Sequence, residues 1–170
     1  LHKWLSAPVG TGFLYVRRAK IKSIWPLFAA PAEMDDNIRK FEAIGTFPVH
    51  IRNPITEALD FHEAIGPERK AARLRFLRRR WTRHVAQFPR VKLLTPDDDA
   101  QSCALGAMSV DGLTGPQLVE HLMTKHRIHV RARIVPNEFS CIRVTPNVYT
   151  TVAEIDAFAR AIELLATKGL

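Results

Sequence analysis

Apolar residues recur at spacings of three and four between residues 55 and 88, which predicts helical structure there. The Gly66-Pro67 dipeptide interrupts this stretch and is expected to divide it into two helices. Arginines fill most of the remaining positions of the second helix, which is therefore expected to have a basic surface. Its apolar stripe consists of Leu74, Leu77, Trp81, Val85 and Phe88.

Two further helices are predicted from their first residues. Thr114 is followed three positions later by Gln117, and Thr151 is followed in the same way by Glu154. Each pair matches the capping box, in which the two residues satisfy each other's free backbone N–H groups. The last helix is expected to end near Gly169. Its apolar stripe consists of Ile155, Phe158, Ala159, Ile162 and Leu165.

Strands are predicted at residues 12–16, 91–94, 104–110, 128–134 and 140–145. The first is continuously apolar and is expected to be buried. In residues 128–134 the apolar side chains alternate with His129, Arg131 and Arg133, as in a strand that buries one face. Residues 26–54 contain four prolines and are expected to form a long irregular segment. This order predicts an α+β fold, with a small, mainly antiparallel sheet and helices packed on one face.

Composition narrows the possible class of protein only slightly. The 170 residues carry a net charge of +8, which suits a polyanion partner, a solvated surface or an active site for anions, and charge alone does not decide among these. Cys103 and Cys141 are too few for a disulfide framework and are expected to be buried, reduced thiols. The histidines and cysteines show no spacing typical of a metal site. The chain starts at Leu1 without a leader sequence, so we expect a truncated, cytoplasmic protein.

The first eighteen residues, LHKWLSAPVGTGFLYVRR, carry the most specific pattern. His2-Lys3 precedes a turn at residues 8–12 and then an apolar segment that ends in arginine. This string resembles the class V aminotransferase-like enzymes of fold type I, which depend on pyridoxal phosphate, and within them the isopenicillin-N-epimerase-like group. The resemblance implies that Lys3 forms the Schiff base with the cofactor and is catalytic, and that His2 contacts the cofactor. Lysine is the side chain whose amine performs this chemistry.

Two more segments resemble the same family. Arg143 lies on a predicted strand before Tyr149 and the capped last helix, and the resemblance implies that it binds the substrate carboxylate. Guanidinium suits this role because it donates two parallel hydrogen bonds to a carboxylate. Gly45-Thr46 corresponds to a pair that in relatives binds the cofactor phosphate across a dimer interface. The family often continues there with Arg-Asp, whereas this chain has Phe47-Pro48.

The resemblance implies an organisation and a function. Residues 1–54 would be a remnant of the large cofactor-binding domain, with the lysine loop, one strand and an active-site loop, and residues 55–170 the small carboxy-terminal α+β domain. The whole protein would be a homodimer acting on an amino acid or a similar small molecule, with no nucleic-acid or membrane partner. Epimerisation, transamination and lyase chemistry stay open, and the isolated chain would be inactive. Sulfur transfer is disfavoured because residues 130–139, where desulfurases place their nucleophile, contain no cysteine.

A second hypothesis makes the chain a non-catalytic α+β binding module. Its arginine-rich helix, around residues 69–83, would then contact nucleic acid through phosphate neutralisation. The arginines surround an apolar stripe, however, and do not form one face with interleaved aromatic residues. This arrangement favours a solvated helix surface and makes the enzyme hypothesis the stronger one.

Overall fold

The computed structural model describes residues 1–170 and divides them into two compact units, Leu1–Ala64 and Ile65–Leu170. The division falls at the end of a helix, ten residues after the domain boundary expected at residue 54. The assignment of residues 1–54 to a large domain concerns the whole protein and stays a prediction. No helix is both long enough and apolar enough to cross a membrane.

The first unit consists of short helices joined by irregular chain. Helix α1 spans Arg18–Ile21, and helix α2 spans Ile55–Ile65. Between them lie three short 3-10 helices, Ala32–Met34, Ile38–Glu42 and Val49–Ile51. The prediction of an irregular segment at residues 26–54 is therefore confirmed.

The strand expected at residues 12–16 is not formed. Phe13 and Tyr15 expose 81% and 77% of their surface, and no residue of the first unit belongs to a sheet. A continuously apolar strand needs a neighbouring strand to take up its backbone hydrogen bonds and packed layers to cover its faces. The first unit offers neither, so the sequence pattern alone could not produce the element here.

The second unit contains the sheet, and all its strand pairs are antiparallel. The strands are β1 (Val91–Leu93), β2 (Gly106–Val110), β3 (Arg131–Val135) and β4 (Phe139–Val144), in the order β1-β2-β4-β3. The predicted α+β class is confirmed. Strand β3 begins three residues later than expected. Arg127 adopts a left-handed conformation, and the N–H of Ile128 donates to the carbonyl of Leu122 and therefore cannot pair with another strand.

Three long helices cover one face of this sheet. They are α3 (Pro67–Val85), α4 (Gly115–His126) and α5 (Val152–Lys168), and their apolar residues form one core with Met108 and Val110 of β2 and Ile142 and Val144 of β4. Those four strand residues point to the same side of the sheet, since Met108 pairs with Ile142. The predicted packing of helices on one face is confirmed.

The predicted helix signals have the expected geometry. Thr114 and Thr151 each accept a hydrogen bond from the backbone N–H three residues on, and Gln117 and Glu154 accept one in return. Gly66 has a φ of +90°, a conformation that glycine adopts at little cost, and it separates α2 from α3.

One arginine of α3 departs from the predicted basic surface. Arg78 is only 1% exposed, and its guanidinium donates to the carbonyl of Pro96 at 3.0 Å and to the carboxylate of Asp97 at 2.8 Å. The acidic turn after β1 therefore folds back onto α3. A buried charge of this kind requires such partners, because leaving it unpaired would be costly.

Candidate active-site residues

Lys3 lies in a tight turn at the start of the first unit. Its carbonyl accepts a hydrogen bond from the N–H of Ser6 at 3.2 Å, and Ser6 has a positive φ of 64°. The side chains of His2 and Lys3 are exposed and have no hydrogen bond or ion pair with another protein group. The Lys3 amine is thus available to a ligand.

The turn at residues 8–12 is joined to the lysine segment. The hydroxyl and the N–H of Thr11 both donate to the carbonyl of Pro8, at 2.7 and 3.2 Å, and Gly10 has a φ of +93°. The N–H of Ala7 donates to the carbonyl of Leu1 at 3.3 Å. These bonds fix the backbone on which Lys3 is carried.

Gly45 and Thr46 form an open bend. Gly45 has a φ of +78°, and a Cβ added there would meet nothing within 4 Å. Thr46 is exposed, and neither its N–H nor its hydroxyl bonds to a protein group. After the bend, the guanidinium of Arg52 stacks on the ring of Phe47 at 3.6 Å, so the residues that replace the family's Arg-Asp have a packing partner. The bend offers two donors to an anion.

The buried lysine of the first unit is Lys40, which sequence reasoning did not single out. Its side chain is 3% exposed, and its amine donates to the carbonyl of Asp35 at 2.8 Å and pairs with the carboxylate of the same residue at 3.6 Å. Lys40 therefore joins the 3-10 helix Ile38–Glu42 to the preceding turn. Its amine is already occupied, in contrast to that of Lys3.

The groups of the first unit fit pyridoxal phosphate in their chemistry. The cofactor presents an aldehyde to an amine, which Lys3 would supply, and a phosphate to hydrogen-bond donors, which Gly45 and Thr46 would supply across the dimer interface that the resemblance implies. The open space around Gly45 leaves room for a group that approaches its backbone.

Arg143 lies in the second unit on β4, between the buried residues Ile142 and Val144. It points away from both, as strand alternation predicted, and is half-buried on the side of the sheet opposite the helices. Its Nε is buried and has no hydrogen-bond partner. A buried unpaired donor on a cationic side chain is a candidate binding group for an anion.

The side of the sheet that carries Arg143 is called here the helix-free face. Its strand residues are Lys92, Ala107, Ser109, Arg131, Arg133, Val135, Phe139, Cys141 and Arg143, as the pairing register and strand alternation determine. Sequence reasoning recognised the alternation of Arg131 and Arg133 with apolar residues but did not relate them to Arg143. The missing information was the register that places Arg131 directly opposite Arg143.

Cys141 also lies on the helix-free face but is only 1% exposed. Burial raises the pKa of its thiol, and the nearby charge of Arg133 offsets this only in part. A neutral, inaccessible thiol is a poor nucleophile. Cys103 is half-buried, so the expectation of two buried thiols is correct for Cys141 alone; both cysteines are free.

Comparison with known proteins agrees with the resemblance. The sequence profile of the family "Aminotransferase class-V" matches residues 1–158. Isopenicillin N epimerase from Streptomyces clavuligerus is 30% identical over 181 residues, which cover 96% of this chain and 45% of that protein. The chain therefore spans about half the length of this curated relative.

Solved structures share the fold at lower identity. The cystine C-S lyase C-DES, in complex with its product cysteine persulfide, has a TM-score of 0.77 at 23% identity and covers 99% of this chain and 45% of its own. The cysteine desulfurase CsdA from Escherichia coli has a TM-score of 0.77 at 20% identity, over 94% of this chain and 43% of its own. The profile match over residues 1–158 and the epimerase relative show that this chain belongs to the aminotransferase class V family of pyridoxal-phosphate-dependent enzymes.

Proposed function

We propose that this chain is the carboxy-terminal part of a pyridoxal-phosphate-dependent enzyme that acts on an amino acid or an amino-acid-like molecule, with Lys3 as the residue that holds the cofactor. The observation that carries the proposal is that the family match covers residues 1–158 and therefore includes the His2-Lys3 string. The amine of Lys3, unlike that of the buried Lys40, has no protein partner.

Each proposed residue has a separate task. When bound, pyridoxal phosphate draws electrons from the α-carbon of an amino acid and so makes a proton there easier to remove. Lys3 Nζ would hold the cofactor covalently; once released, its neutral amine would accept a proton from that carbon, and the ammonium so formed would donate one back. His2 would contact the cofactor beside Lys3, and Gly45 and Thr46 would donate to a cofactor phosphate across the proposed dimer interface.

Arg143 is proposed to bind the substrate carboxylate. Its guanidinium is half-buried on the helix-free face, and its Nε lacks a partner within the protein. A carboxylate would satisfy this donor and orient the substrate through two parallel hydrogen bonds. The buried neighbours Ile142 and Val144 fix the backbone from which the side chain extends.

The structure of the thiols bears on the reaction type. A sulfur-transferring enzyme of this family needs an accessible, ionisable cysteine shortly before the substrate arginine. Residues 130–139 contain none, and Cys141 is buried with a raised thiol pKa. We therefore propose epimerase, aminotransferase or lyase chemistry and not sulfur transfer. The relationship to isopenicillin N epimerase makes epimerisation the first activity to assay.

For the whole protein we propose a cytoplasmic homodimer. Two free cysteines and no disulfide are typical of a reducing compartment. Phe13, Tyr15 and Trp25 leave a large apolar surface exposed on the first unit, which supports the proposal that the rest of a large domain covers them. The isolated chain is then expected to hold no cofactor stably and to be inactive.

The nucleic-acid hypothesis has little support from α3. Arg78 and Arg79 pair with Asp97, and Arg80 forms two hydrogen bonds with the carboxylate of Asp156, at 2.6 and 2.8 Å. Guanidiniums that are already paired gain less from phosphate contacts, since the existing ion pairs would first have to break.

Visible absorbance of the whole protein with added pyridoxal phosphate tests the proposal. The wild-type protein and a Lys20→Ala control, which removes another exposed lysine of the first unit, are expected to form a stable coloured complex and to turn over amino acids. Lys3→Ala is expected to lose both properties. A coloured, active Lys3→Ala protein would overturn the assignment.

A further inference from the structure

The helix-free face carries basic side chains and no acidic ones. Its strand positions include Lys92 on β1, Arg131 and Arg133 on β3, and Arg143 on β4, whereas none is aspartate or glutamate. None of these four cations forms an ion pair within the protein. The other arginine cluster of the second unit differs, since Arg78, Arg79 and Arg80 of α3 are paired with carboxylates.

Arg131 and Arg143 are direct cross-strand partners. Residues in such positions have Cα atoms about 4.5–5.5 Å apart, so both side chains rise from nearly the same place on the face. Like charges directly opposite each other destabilise a sheet. No carboxylate of the protein offsets the repulsion between these two arginines. An anion that bound both would reduce this repulsion and stabilise the sheet.

The arginines of the helix-free face differ in burial and in how many hydrogen bonds their guanidiniums donate within the protein. Arg143 is half-buried with an unpartnered Nε. Arg131 is exposed and makes no side-chain hydrogen bond. Arg133, two residues along β3, is exposed and donates one bond to the carbonyl of Ala132 at 3.0 Å. More donors are available here than the single α-carboxylate of a simple amino acid can accept.

We propose that the substrate carries a second carboxylate, held by Arg131 and Arg133 while Arg143 binds the first. The substrate class is thus an amino acid or amino-acid-like molecule with an anionic side chain. This inference rests on the proposed function for the role of Arg143. It goes further by assigning substrate selection to two residues of β3, which act as specificity-determining groups and do not touch the reacting carbon.

The first experiment compares substrates on the cofactor-loaded whole protein. Glutamate and its neutral isostere glutamine are assayed with the wild-type protein, the double variant Arg131→Gln/Arg133→Gln, and a charge-matched control, Arg69→Gln/Arg83→Gln, whose arginines are exposed on α3. Loss of charge-assisted hydrogen bonds is expected to lower kcat/KM for glutamate about 10- to 100-fold in the β3 variant. Turnover of glutamine in that variant is expected to fall far less, because its neutral amide accepts weaker hydrogen bonds than a carboxylate does, and both reactions in the control are expected to stay unchanged.

The outcomes separate the second carboxylate site on β3 from the proposed role of Lys3. If the wild-type protein turns over both amino acids equally, or if the β3 variant loses both equally, the second carboxylate site is wrong, while dependence on Lys3 still supports the enzyme. If neither amino acid is turned over, a binding measurement decides the inference, and trapping of the cofactor on Lys3 decides the proposed function separately.

That binding measurement uses the same proteins without cofactor. Glutarate, a dicarboxylate, is expected to raise the melting temperature of the wild-type protein and the control more than butyrate does at the same ionic strength, and to have no such effect on the β3 variant. Equal shifts with both acids would overturn the inference. So would DNA binding with a steep salt dependence that the β3 variant loses, because the face would then serve a polyanion.

Discussion

Trp81 of α3 lies directly against Gly106 of β2, so closely that a Cβ built on Gly106 would be 2.3 Å from Cζ2 of the indole. Trp81 is fully buried and packs edge-on against Phe158 of α5, with ring centroids 5.4 Å apart. Because Gly106 has no side chain, Trp81 of α3 can pack against both α5 and the sheet.

Replacing Gly106 by alanine is therefore expected to destabilise the second unit. In a strand, alanine would ordinarily be favoured over glycine, but here the added methyl group forces Trp81 or the strand to shift. Overpacking of this kind costs about 1–3 kcal/mol. Denaturant unfolding followed by tryptophan fluorescence measures the loss. Gly12→Ala, where a Cβ would meet nothing within 4 Å, is the control and is expected to leave stability unchanged.

The N-terminal cap of α5 gives a second prediction. The hydroxyl of Thr151 accepts a hydrogen bond from the N–H of Glu154 at 3.2 Å, and the carboxylate of Glu154 accepts one from the N–H of Thr151 at 2.7 Å. Thr151→Ala removes the first bond and is expected to lower the free energy of unfolding by about 1 kcal/mol. Thr151→Ser keeps a hydroxyl and should retain most of the stability. Equal losses in the two variants would mean that the Thr151 hydroxyl does not stabilise the helix.

Acid should weaken the junction between α3 and the turn after β1. Hydrogen bonding and charge from Arg79, then Arg78, hold the pKa of the Asp97 carboxyl below its ordinary value. Because the pKa is lower in the folded protein, the ionised carboxylate stabilises the fold at pH values above its unfolded pKa, about 3.9. This stabilisation is lost as the pH falls through the lower, folded value.

The measurement for this third prediction is stability as a function of pH. Between neutral pH and about pH 3, Asp97→Asn is expected to show a flatter decline than the wild-type protein, because it has already lost the titrating group. Asp111→Asn, whose carboxylate makes no hydrogen bond or ion pair, should follow the wild-type curve. Parallel curves for wild type and Asp97→Asn would show that this carboxylate does not couple to folding.

Local signals in the sequence predicted the helices of the second unit well, because a cap or a stripe depends on residues three or four positions apart. Thr114, Thr151 and the stripe of α5 all behave as expected. Features that depend on distant contacts were not accessible in the same way. The burial of Arg78 requires the turn at Asp97 to fold back, and the pairing of Arg131 with Arg143 requires the register of β3 on β4.

Some features of the candidate site were likewise predicted from local patterns, and others were not. Strand alternation predicted that Arg143 leaves the core, and the structure agrees. The role proposed for Lys3 came from resemblance to a family and not from local chemistry, since several other exposed lysines, such as Lys20 and Lys22, look alike in isolation. The predicted strand at residues 12–16 is absent for a physical reason. A buried strand forms only where neighbouring strands pair with it and other layers cover its faces.

Borohydride reduction of the whole, cofactor-loaded protein, followed by proteolysis and mass spectrometry, tests the central claim most directly. The peptide containing Lys3 is expected to gain the mass of the reduced cofactor on that side chain, and peptides with Lys20, Lys22 or Lys40 are not. Cofactor trapped on another lysine, or on none, would show that Lys3 is not the residue that holds it.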